Sequence, residues 1–425
     1  LNNIKKIMSE AKKIFFIVGI DKLLRKYEDA YFQTKCCALF GFNAIAQECN
    51  NNNAGTLDRT IKKKKVDGKE VHLILLDNGR SELLKSKFKE LLYCINCRAC
   101  SELCATLSLP KESLFKAILQ KKGIYDCTLC GACKDLCPLQ ISIPEFILEI
   151  RKKSSLSDVH KKMCESIEKY DNPFGEEKKQ RSMFYTKKFE KSEGIQIYFG
   201  CVASYQRQKI VTNTMKIFDK LNIEYYCLGD DEPCCGYLLY ALGVENFEKI
   251  FERTFSKIGE KVITTCAGCY KTFFELYPKY IGKNVDVLHI VQYLDSLKNF
   301  KFKNDFPYNV AYHDPCDLGR SLGIYDEPRN LLSSIPKLKL VEFKFNKENA
   351  MCCGAGGGAK AYKSELSEAI GYERMLEAYE CGADTVVSSC PACYANLQIN
   401  IPHLKREKNI NMRVMDITEV LARAI

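Results

Sequence analysis

Two groups of cysteines with the same spacing occupy the second half of the chain. In each group an isolated cysteine comes first, two adjacent cysteines followed by glycine come next, and a C-x-x-C pair comes last. Soft thiolates at such regular intervals favour iron-sulfur clusters or zinc over packing in a core. We call these groups the first and the second five-cysteine set. The first set is Cys201, Cys234, Cys235, Cys266 and Cys269, and the second set is Cys316, Cys352, Cys353, Cys390 and Cys393.

Each set contains one thiolate more than an ordinary 4Fe-4S cubane requires. Four thiolates complete an ordinary cubane, so a fifth indicates an unusual cluster, whose shape the sequence leaves open. We predict that the adjacent pairs are catalytic as well as metal-ligating. These pairs are Cys234 with Cys235 and Cys352 with Cys353.

Glycine and histidine accompany the cysteines. Gly236 and Gly354 directly follow the adjacent pairs, and the missing side chain would let the backbone approach a cofactor closely, so we predict that both are cofactor-binding positions. His313 precedes Cys316 and is a candidate to donate a proton or to steady a sulfur atom, with capping of local backbone as the alternative. The glycine-rich residues 354–358 lack the Gly-Lys-Ser/Thr ending of a phosphate loop and the dinucleotide fingerprint.

A second type of spacing, C-x-x-C-x-x-C-x-x-x-C, occurs twice upstream of these sets. In this motif three thiolates of one loop bind one cluster while the fourth crosses to the other. The spacing therefore predicts two 4Fe-4S cubanes, with zinc as the weaker alternative. The expected ligands are Cys94, Cys97, Cys100 and Cys137 for the first cubane and Cys104, Cys127, Cys130 and Cys133 for the second.

The composition narrows the class of protein. The chain of 425 residues has a net charge of +11, but its lysines are spread out, so nucleic-acid binding is not predicted, and a basic surface suits an acidic partner protein or an anionic substrate. The 24 cysteines and the absence of a recognisable signal sequence favour a reducing, cytoplasmic location. The longest apolar runs are shorter than the roughly 20 residues of a membrane helix, so any membrane attachment would come through a partner.

The order of apolar runs predicts an α/β protein. We expect a mixed α/β segment at residues 1–90, a helical ferredoxin-like domain at 91–151 and a linker with helical parts at 152–193. Short β-rich runs then alternate with amphipathic helices in two duplicated α/β domains with parallel sheets, at 194–305 and 306–425.

The strands of these duplicated domains are expected to position the cysteines. Each set follows the predicted strands, so its thiols should lie at their carboxyl ends, where open α/β sheets bind ligands. Cys266 and Cys390 should also begin helices, whose dipoles favour thiolate over thiol. Cysteines without ligand spacing, among them Cys36, Cys37 and Cys49, are expected to be buried or incidental.

The motifs resemble a known family. The two ferredoxin motifs are followed by YFGCVASYQ, EPCCGY, TTCAGCYKT, YHDPCDLGR, AMCCGAGGG and SSCPACYANL. This order resembles the catalytic D subunit of heterodisulfide reductase and related subunits of glycerol-3-phosphate and glycolate dehydrogenases. The resemblance implies that each five-cysteine set forms a CCG domain with a noncubane 4Fe-4S cluster. It also implies that the two clusters cleave the disulfide between coenzyme M and coenzyme B.

The amino-terminal part resembles a different family. VGIDKLL and HLILLDNGRSELL are similar to the end of the LUD domain in lactate-utilisation iron-sulfur proteins, which implies a partial LUD-like segment at residues 1–90. The D subunits of heterodisulfide reductases lack this domain. The two resemblances therefore imply different substrates.

Three functions follow from these patterns. The first is an iron-sulfur oxidoreductase subunit that passes electrons through the cubanes to the CCG clusters and reduces a disulfide. The second is oxidation of lactate or another 2-hydroxy acid, and the third is an electron-transfer connector without a substrate. Because no motif supplies a flavin or nicotinamide site, the electron donor or acceptor is expected to be a separate flavoprotein, ferredoxin or membrane cytochrome subunit.

Overall fold

The structure is a computed structural model, and two compact units can be distinguished in it. The first consists of Leu1–Leu103, Leu109–Gln120 and Cys133–Ser142, and the second of Cys104–Ser108, Lys121–Ala132 and Ile143–Ile425. The described residues are 10–20, 23, 26, 28–29, 65–66, 69–77, 79–95, 97–102, 104–106, 123–186, 189, 194–297 and 301–425. Cys36, Cys37 and Cys49 lie outside them.

A small sheet characterises the first unit. Strand β1 (Lys13–Gly19) pairs in parallel with β3 (Lys69–Leu76), and β2 (Lys65–Val66) pairs with β3 in the antiparallel direction. Both longer strands coincide with apolar runs from which the sequence predicts strands. Short helices follow at Arg80–Leu84 and Ala99–Glu102, and a 3-10 turn at Lys89–Tyr93 separates them.

In the second unit, the first duplicated domain contains a four-stranded parallel sheet. Its strand order is β5-β4-β6-β7. The strands are β4 (Ile195–Tyr198), β5 (Tyr225–Tyr226), β6 (Lys261–Thr264) and β7 (Asp286–His289). The helices are Gln208–Lys220, Tyr237–Leu242, Glu248–Phe255, Ala267–Lys271, Tyr277–Ile281 and Ile290–Ser296.

The second duplicated domain repeats this topology. Its parallel sheet has the order β9-β8-β10-β11, which is the order of the first sheet strand by strand. The strands are β8 (Asn309–His313), β9 (Lys339–Val341), β10 (Thr385–Ser388) and β11 (Arg413–Asp416). The helices are Gly319–Leu322, Asp326–Ser333, Ala359–Tyr362, Ser364–Glu380, Pro391–Gln398, Ile401–Lys408 and Ile417–Ala424. The predicted α/β class with duplicated parallel sheets is confirmed.

Burial explains why these short runs become strands. The central strands are covered on both faces, so their residues are apolar without alternation, as Ile197, Val262, Ile263 and Val386 show with no exposed surface. The helices bury one stripe each; Gln208–Lys220, for example, buries Ile210, Met215 and Phe218.

Two helices precede the first sheet within the second unit. They are Ile143–Lys152 and Asp158–Tyr170, and the side chain of Ser157 caps the second by accepting a hydrogen bond from the His160 amide. His160 and Arg181 are almost completely buried. The helix Asp158–Tyr170 lies within the predicted linker, and His160 and Arg181 of the same range are buried in the second unit. The assignment of residues 152–193 as a linker stays a prediction. Among the helices that the structure describes, none combines the length and the apolar character needed to cross a membrane.

The strands β7 and β11, which occupy equivalent positions in the two sheets, each end at a titratable residue. The residue is a base in the first sheet and an acid in the second. His289 ends β7 and caps the next helix by accepting from the Val291 amide, and Asp416 ends β11 and caps its helix by accepting from the Thr418 amide. Burial lowers the pKa of His289 from 6.5 to about 4 and raises the pKa of Asp416 from 3.8 to about 7. The two groups therefore contribute to stability with opposite dependence on pH.

We predict opposite pH trends for His289→Asn and Asp416→Asn, since Asn preserves the helix cap in both. Folding lowers the pKa of His289, so this side chain resists protonation in the folded state. The wild type therefore loses stability as the pH falls from 6.5 to 4, and H289N should become more stable relative to the wild type over that range. Asp416 retains its proton when folded, so D416N should be relatively more stable at pH 7 and lose this advantage towards pH 4. Anaerobic urea midpoints measure both, and parallel trends would contradict the assignment.

Candidate metal centres

The first five-cysteine set converges at one edge of its sheet. Cys201 follows β4, Cys266 follows β6 and begins the helix Ala267–Lys271, and this helix carries Cys269. The Sγ atoms of Cys269 and Cys235 lie 3.4 Å apart. Hydrogen-bond contacts between thiols also join Cys201 to Cys234, Cys234 to Cys235 and Cys269 to Cys266. The structure therefore brings all five thiols together at the carboxyl ends of parallel strands.

The second set forms an equivalent chain of contacts. Cys316 contacts Cys352, Cys352 contacts Cys353, Cys353 contacts Cys393, and Cys393 contacts Cys390, which begins the helix Pro391–Gln398. A further contact joins Cys266 of the first set to Cys390 of the second. The two sets thus meet at the helix starts that the duplicated sheets place side by side.

The electrostatics of these thiols fit a metal centre. Hydrogen bonds from Cys234 and then Cys269 lower the pKa of Cys235 to about 6, and hydrogen bonds from Cys352 and Cys393 lower the pKa of Cys353 well below its ordinary value. Each such thiolate depends on a neighbour that stays protonated, so the protein alone cannot ionise the whole set. A cluster of iron ions would remove this conflict by binding every thiolate directly, and the sulfur-only donor set suits iron-sulfur chemistry.

Gly200 gives the first set its close packing. Its φ is +77°, and a Cβ atom added there would lie 2.9 Å from Cys269 Sγ and 3.7 Å from Cys266 Cβ. The backbone can therefore pass directly behind the sulfur atoms only because this residue has no side chain. The sequence reasoning missed Gly200, although it directly precedes the isolated cysteine.

Gly236 and Gly354 have a different environment. Both have left-handed backbone, with φ of +83° and +91°, and an added Cβ would meet the Phe251 ring at 2.8 Å or the Ser367 carbonyl oxygen at 2.6 Å. Turn geometry and close packing against protein atoms therefore account for these two glycines. Their role in binding a cofactor stays a prediction.

His313 lies beside the second set. Its Nδ1 accepts a hydrogen bond of 3.2 Å from Arg374 Nε, so a neutral imidazole carries its proton on Nε2. One ring nitrogen and the sulfur atoms of Cys353 and Cys393 all lie within 4.8 Å of one another. A hydrogen bond from His313 also helps to lower the pKa of Cys353. This position matches the predicted role of steadying a sulfur atom more closely than the alternative of capping local backbone.

A buried ion pair lies beside Cys201 of the first set. Arg181 Nη1 donates to Glu232 Oε1 at 2.6 Å, and Arg181 Nη2 lies 3.6 Å from Cys201 Sγ. Glu232 also accepts from the backbone amides of Phe199 and Gly200 at 3.0 and 2.9 Å. The sequence reasoning missed Arg181 because it falls within the predicted linker, and Glu232 because a single acid near a cysteine pair is not a distinctive signal.

The ferredoxin-type cysteines are divided between the two units. Cys94, Cys97, Cys100 and Cys137 all belong to the first unit. Burial, reinforced by the other three thiols, raises the pKa of Cys100 to about 12, so these four side chains lie close enough to interact. In the second unit Cys104, Cys127 and Cys130 interact in the same way, and burial raises the pKa of Cys127 to about 12. Cys133, in the helix Ala132–Asp135, belongs to the first unit.

The loop of Cys127 and Cys130 packs against the second five-cysteine set. Thr128 Oγ1 lies 3.3 Å from Cys352 Sγ, and a hydrogen bond from Cys352 lowers the pKa of Cys130 to about 6. A Cβ atom added at Gly356 would lie 2.7 Å from the Thr128 carbonyl oxygen, and one at Gly357 would lie 2.8 Å from that of Cys127. Gly356 and Gly357 therefore form the surface on which this loop rests.

Arg320 reinforces this contact. Its Nη1 donates to the Cys130 carbonyl oxygen at 3.0 Å, and its Nη2 donates to the carbonyl oxygens of Ala350 at 2.6 Å and Glu348 at 3.1 Å. The hydrogen bonds show that Arg320 joins the loop to the backbone just before the cysteine pair.

Comparison with known proteins agrees with this geometry. The family described as "Cysteine-rich domain" matches residues 195–274 and 310–398, which contain the two five-cysteine sets. The D subunit of dihydromethanophenazine:CoB--CoM heterodisulfide reductase from Methanosarcina barkeri is 34% identical over 325 residues, 72% of this chain and 78% of that protein. The B subunit of fumarate reductase (CoM/CoB) from Methanothermobacter marburgensis is 29% identical over 367 residues, 78% of this chain and 72% of that protein.

The two cysteine sets and these comparisons thus define an iron-sulfur oxidoreductase with duplicated cysteine-rich domains. Within this class, the chain belongs to the family of the heterodisulfide reductase D subunits. A hypothetical protein from Helicobacter pylori has a similar fold, with a TM-score of 0.53 and 11% identity over 88% of this chain and 75% of that chain. At this identity the likeness concerns the fold alone.

We predict that Gly200→Ala removes the first cysteine-rich cluster. The new Cβ would crowd Cys269 Sγ, so iron should fall by about four atoms per chain, the content of one 4Fe-4S cluster. Gly323→Ala is the matched control, because Gly323 has a similar φ of +73° but no atom within 4 Å of an added Cβ. Anaerobic iron and sulfide analysis measures both variants, and equal iron content would show that crowding at the sulfur is not decisive.

Proposed function

We propose that this protein reduces a disulfide as the catalytic iron-sulfur component of a larger oxidoreductase. Two ferredoxin-type 4Fe-4S clusters would be held by the eight upstream cysteines and two noncubane 4Fe-4S clusters by the five-cysteine sets. When bound, these clusters supply one-electron steps between a separate donor protein and the substrate. Membership of the family of heterodisulfide reductase D subunits supports this proposal.

One observation carries the proposal: a continuous series of thiol contacts runs through the second unit. We call the loop of Cys127 and Cys130 the ferredoxin-type loop. Its Cys130 contacts Cys352 of the second set, and Cys390 of the second set contacts Cys266 of the first. Cysteines from three predicted clusters are therefore neighbours. Such an arrangement supports electron transfer between a cubane and two further clusters without a mobile carrier.

The chemistry of the second set suits a disulfide. Cleavage of one S–S bond takes two electrons and two protons and yields two thiols. The two five-cysteine sets meet at Cys266 and Cys390, so each side could contribute one electron to a substrate bound near that junction. His313, with its proton on Nε2 beside Cys353, could hold a proton for a departing sulfur.

An anaerobic preparation tests this function against its two alternatives. With four 4Fe-4S clusters we expect about sixteen iron atoms per chain, whereas about eight would mean that the five-cysteine sets are empty. EPR spectra should change when a disulfide, including the coenzyme M–coenzyme B heterodisulfide, is added, and dye-linked turnover should depend on it. Turnover with lactate but not with disulfides would refute the proposal, and spectra indifferent to every substrate would favour the connector.

Cys353→Ala separates the second five-cysteine set from the cubanes. We expect disulfide turnover to fall to background while both ferredoxin-type EPR signals remain, because Cys353 belongs to the predicted catalytic pair. Cys381→Ala is the control, since Cys381 lies outside both sets and ends the helix Ser364–Glu380. Wild-type turnover in C353A would refute the assigned role.

Gly356→Ala tests the path from the cubane to the second set. Its Cβ would collide with the Thr128 carbonyl oxygen and push the loop of Cys127 and Cys130 away. We expect full iron content, an unchanged cubane spectrum on reduction by dithionite, and disulfide turnover at least tenfold slower. Gly323→Ala again serves as the control, and wild-type turnover in G356A would show that electrons reach the second set by another path.

A further inference from the structure

Arg151 differs from the other buried arginines of the second unit. It lies in the last turn of the helix Ile143–Lys152 and is 1% exposed. The other buried arginines each have a carboxylate partner: Arg181 pairs with Glu232, Arg329 with Asp314 and Arg374 with Glu377. Within the described residues, no carboxylate lies within ion-pair distance of Arg151. Asp126, which interacts with Arg151 from farther away, has its own ion-pair partner in Lys363 at 3.8 Å.

Backbone carbonyl groups surround the Arg151 guanidinium instead. Nε and Nη2 donate to the Ile124 carbonyl oxygen at 2.8 and 2.6 Å, and Nη2 donates to that of Cys127 at 2.6 Å. Nη1 donates to the carbonyl oxygens of Ala241 at 2.5 Å and Gly357 at 2.9 Å. One side chain therefore joins the ferredoxin-type loop to both duplicated domains.

Carbonyl dipoles satisfy the hydrogen bonds of a buried guanidinium but do not neutralise its charge. A buried cation normally requires an anion nearby, because removing it from water is costly. The neighbouring Cys127, whose carbonyl oxygen accepts a hydrogen bond from Arg151 Nη2 at 2.6 Å, is a predicted ligand of the second cubane. A 4Fe-4S core with four thiolate ligands carries net negative charge, which increases on reduction, so the predicted cubane would supply the missing anion.

We propose that Arg151 sets the reduction potential of the cubane predicted at Cys104, Cys127, Cys130 and Cys133, and holds its loop on the second five-cysteine set. This inference rests on the proposed function, because it requires that cubane. The positive charge stabilises the reduced cluster more than the oxidised one, and the surrounding low-dielectric protein preserves this difference. Arg151 is thus a positioning residue: it acts on electron entry through the cluster and does not touch the substrate.

Potentiometric EPR titration of Arg151→Gln and Arg151→Lys tests this role. Gln removes the charge, so at a fixed potential the ratio of reduced to oxidised cluster should fall about tenfold, which corresponds to 59 mV for one electron. Lys keeps the charge but cannot bind four carbonyl groups, so its midpoint should stay near that of the wild type while its melting temperature falls. Loss of a signal in Cys127→Ala identifies the relevant cluster, and Arg413→Gln, which removes an exposed charge, should change neither quantity.

The outcomes separate this inference from the proposed function. An Arg151→Gln protein that retains the cluster at the wild-type midpoint would overturn the role of the charge. If Arg151→Gln prevents cluster binding, the Arg151→Lys variant tests the role of the charge. An unchanged midpoint in this variant supports the inference. A tenfold fall in the ratio of reduced to oxidised cluster would instead assign the effect to the hydrogen bonds. A wild-type protein with a single ferredoxin-type signal would refute the second cubane itself and the inference with it.

Discussion

The mutual contact of buried thiols is the constraint on which the rest of this structure depends. Five sulfur atoms in each set lie close enough that one thiolate, such as Cys235, is stabilised only by the protons of its neighbours. Parallel strands bring the thiols together at their carboxyl ends, and Gly200 leaves room behind them. Each of these features brings thiol groups together that cannot all ionise without a counter-charge. A metal cluster with several binding positions would supply that charge and bind every thiolate.

Duplication produced two sites with the same scaffold and different surroundings. Tyr198 and His313 end corresponding strands, β4 and β8, so the first set has a phenol ring where the second has an imidazole backed by Arg374. The first set also has the ion pair of Arg181 and Glu232 beside Cys201. The helices after the last strands are capped by different residues as well, a histidine in one domain and an aspartate in the other. These differences would give the two clusters unequal electronic environments although their ligand sets are alike.

The arginines connect the ferredoxin-type loop to the duplicated domains. Arg151 and Arg320 donate to the carbonyl oxygens of Cys127 and Cys130, and Gly356 and Gly357 supply a surface without side chains for the loop that carries these cysteines. Backbone contacts of this kind fix the distance between cysteines more firmly than exposed ion pairs, because they are buried and numerous. The loop of Cys127 and Cys130 is thus held next to the second five-cysteine set, which itself meets the first set at Cys266 and Cys390.

The sequence by itself determined the thiols, their grouping and the α/β class. Cysteine spacing is local, and strands buried on both faces are recognisable as short apolar runs, so the positions of Cys201, Cys266, Cys316 and Cys390 at strand ends followed directly. Only the tertiary structure decided which polar groups surround them. Thr128 contacts Cys352 across 224 positions and Arg151 reaches Gly357 across 206. Sequence periodicity does not predict such pairs. The role of an arginine or of a glycine-rich run depends on the distant backbone segment that the fold brings into contact with it.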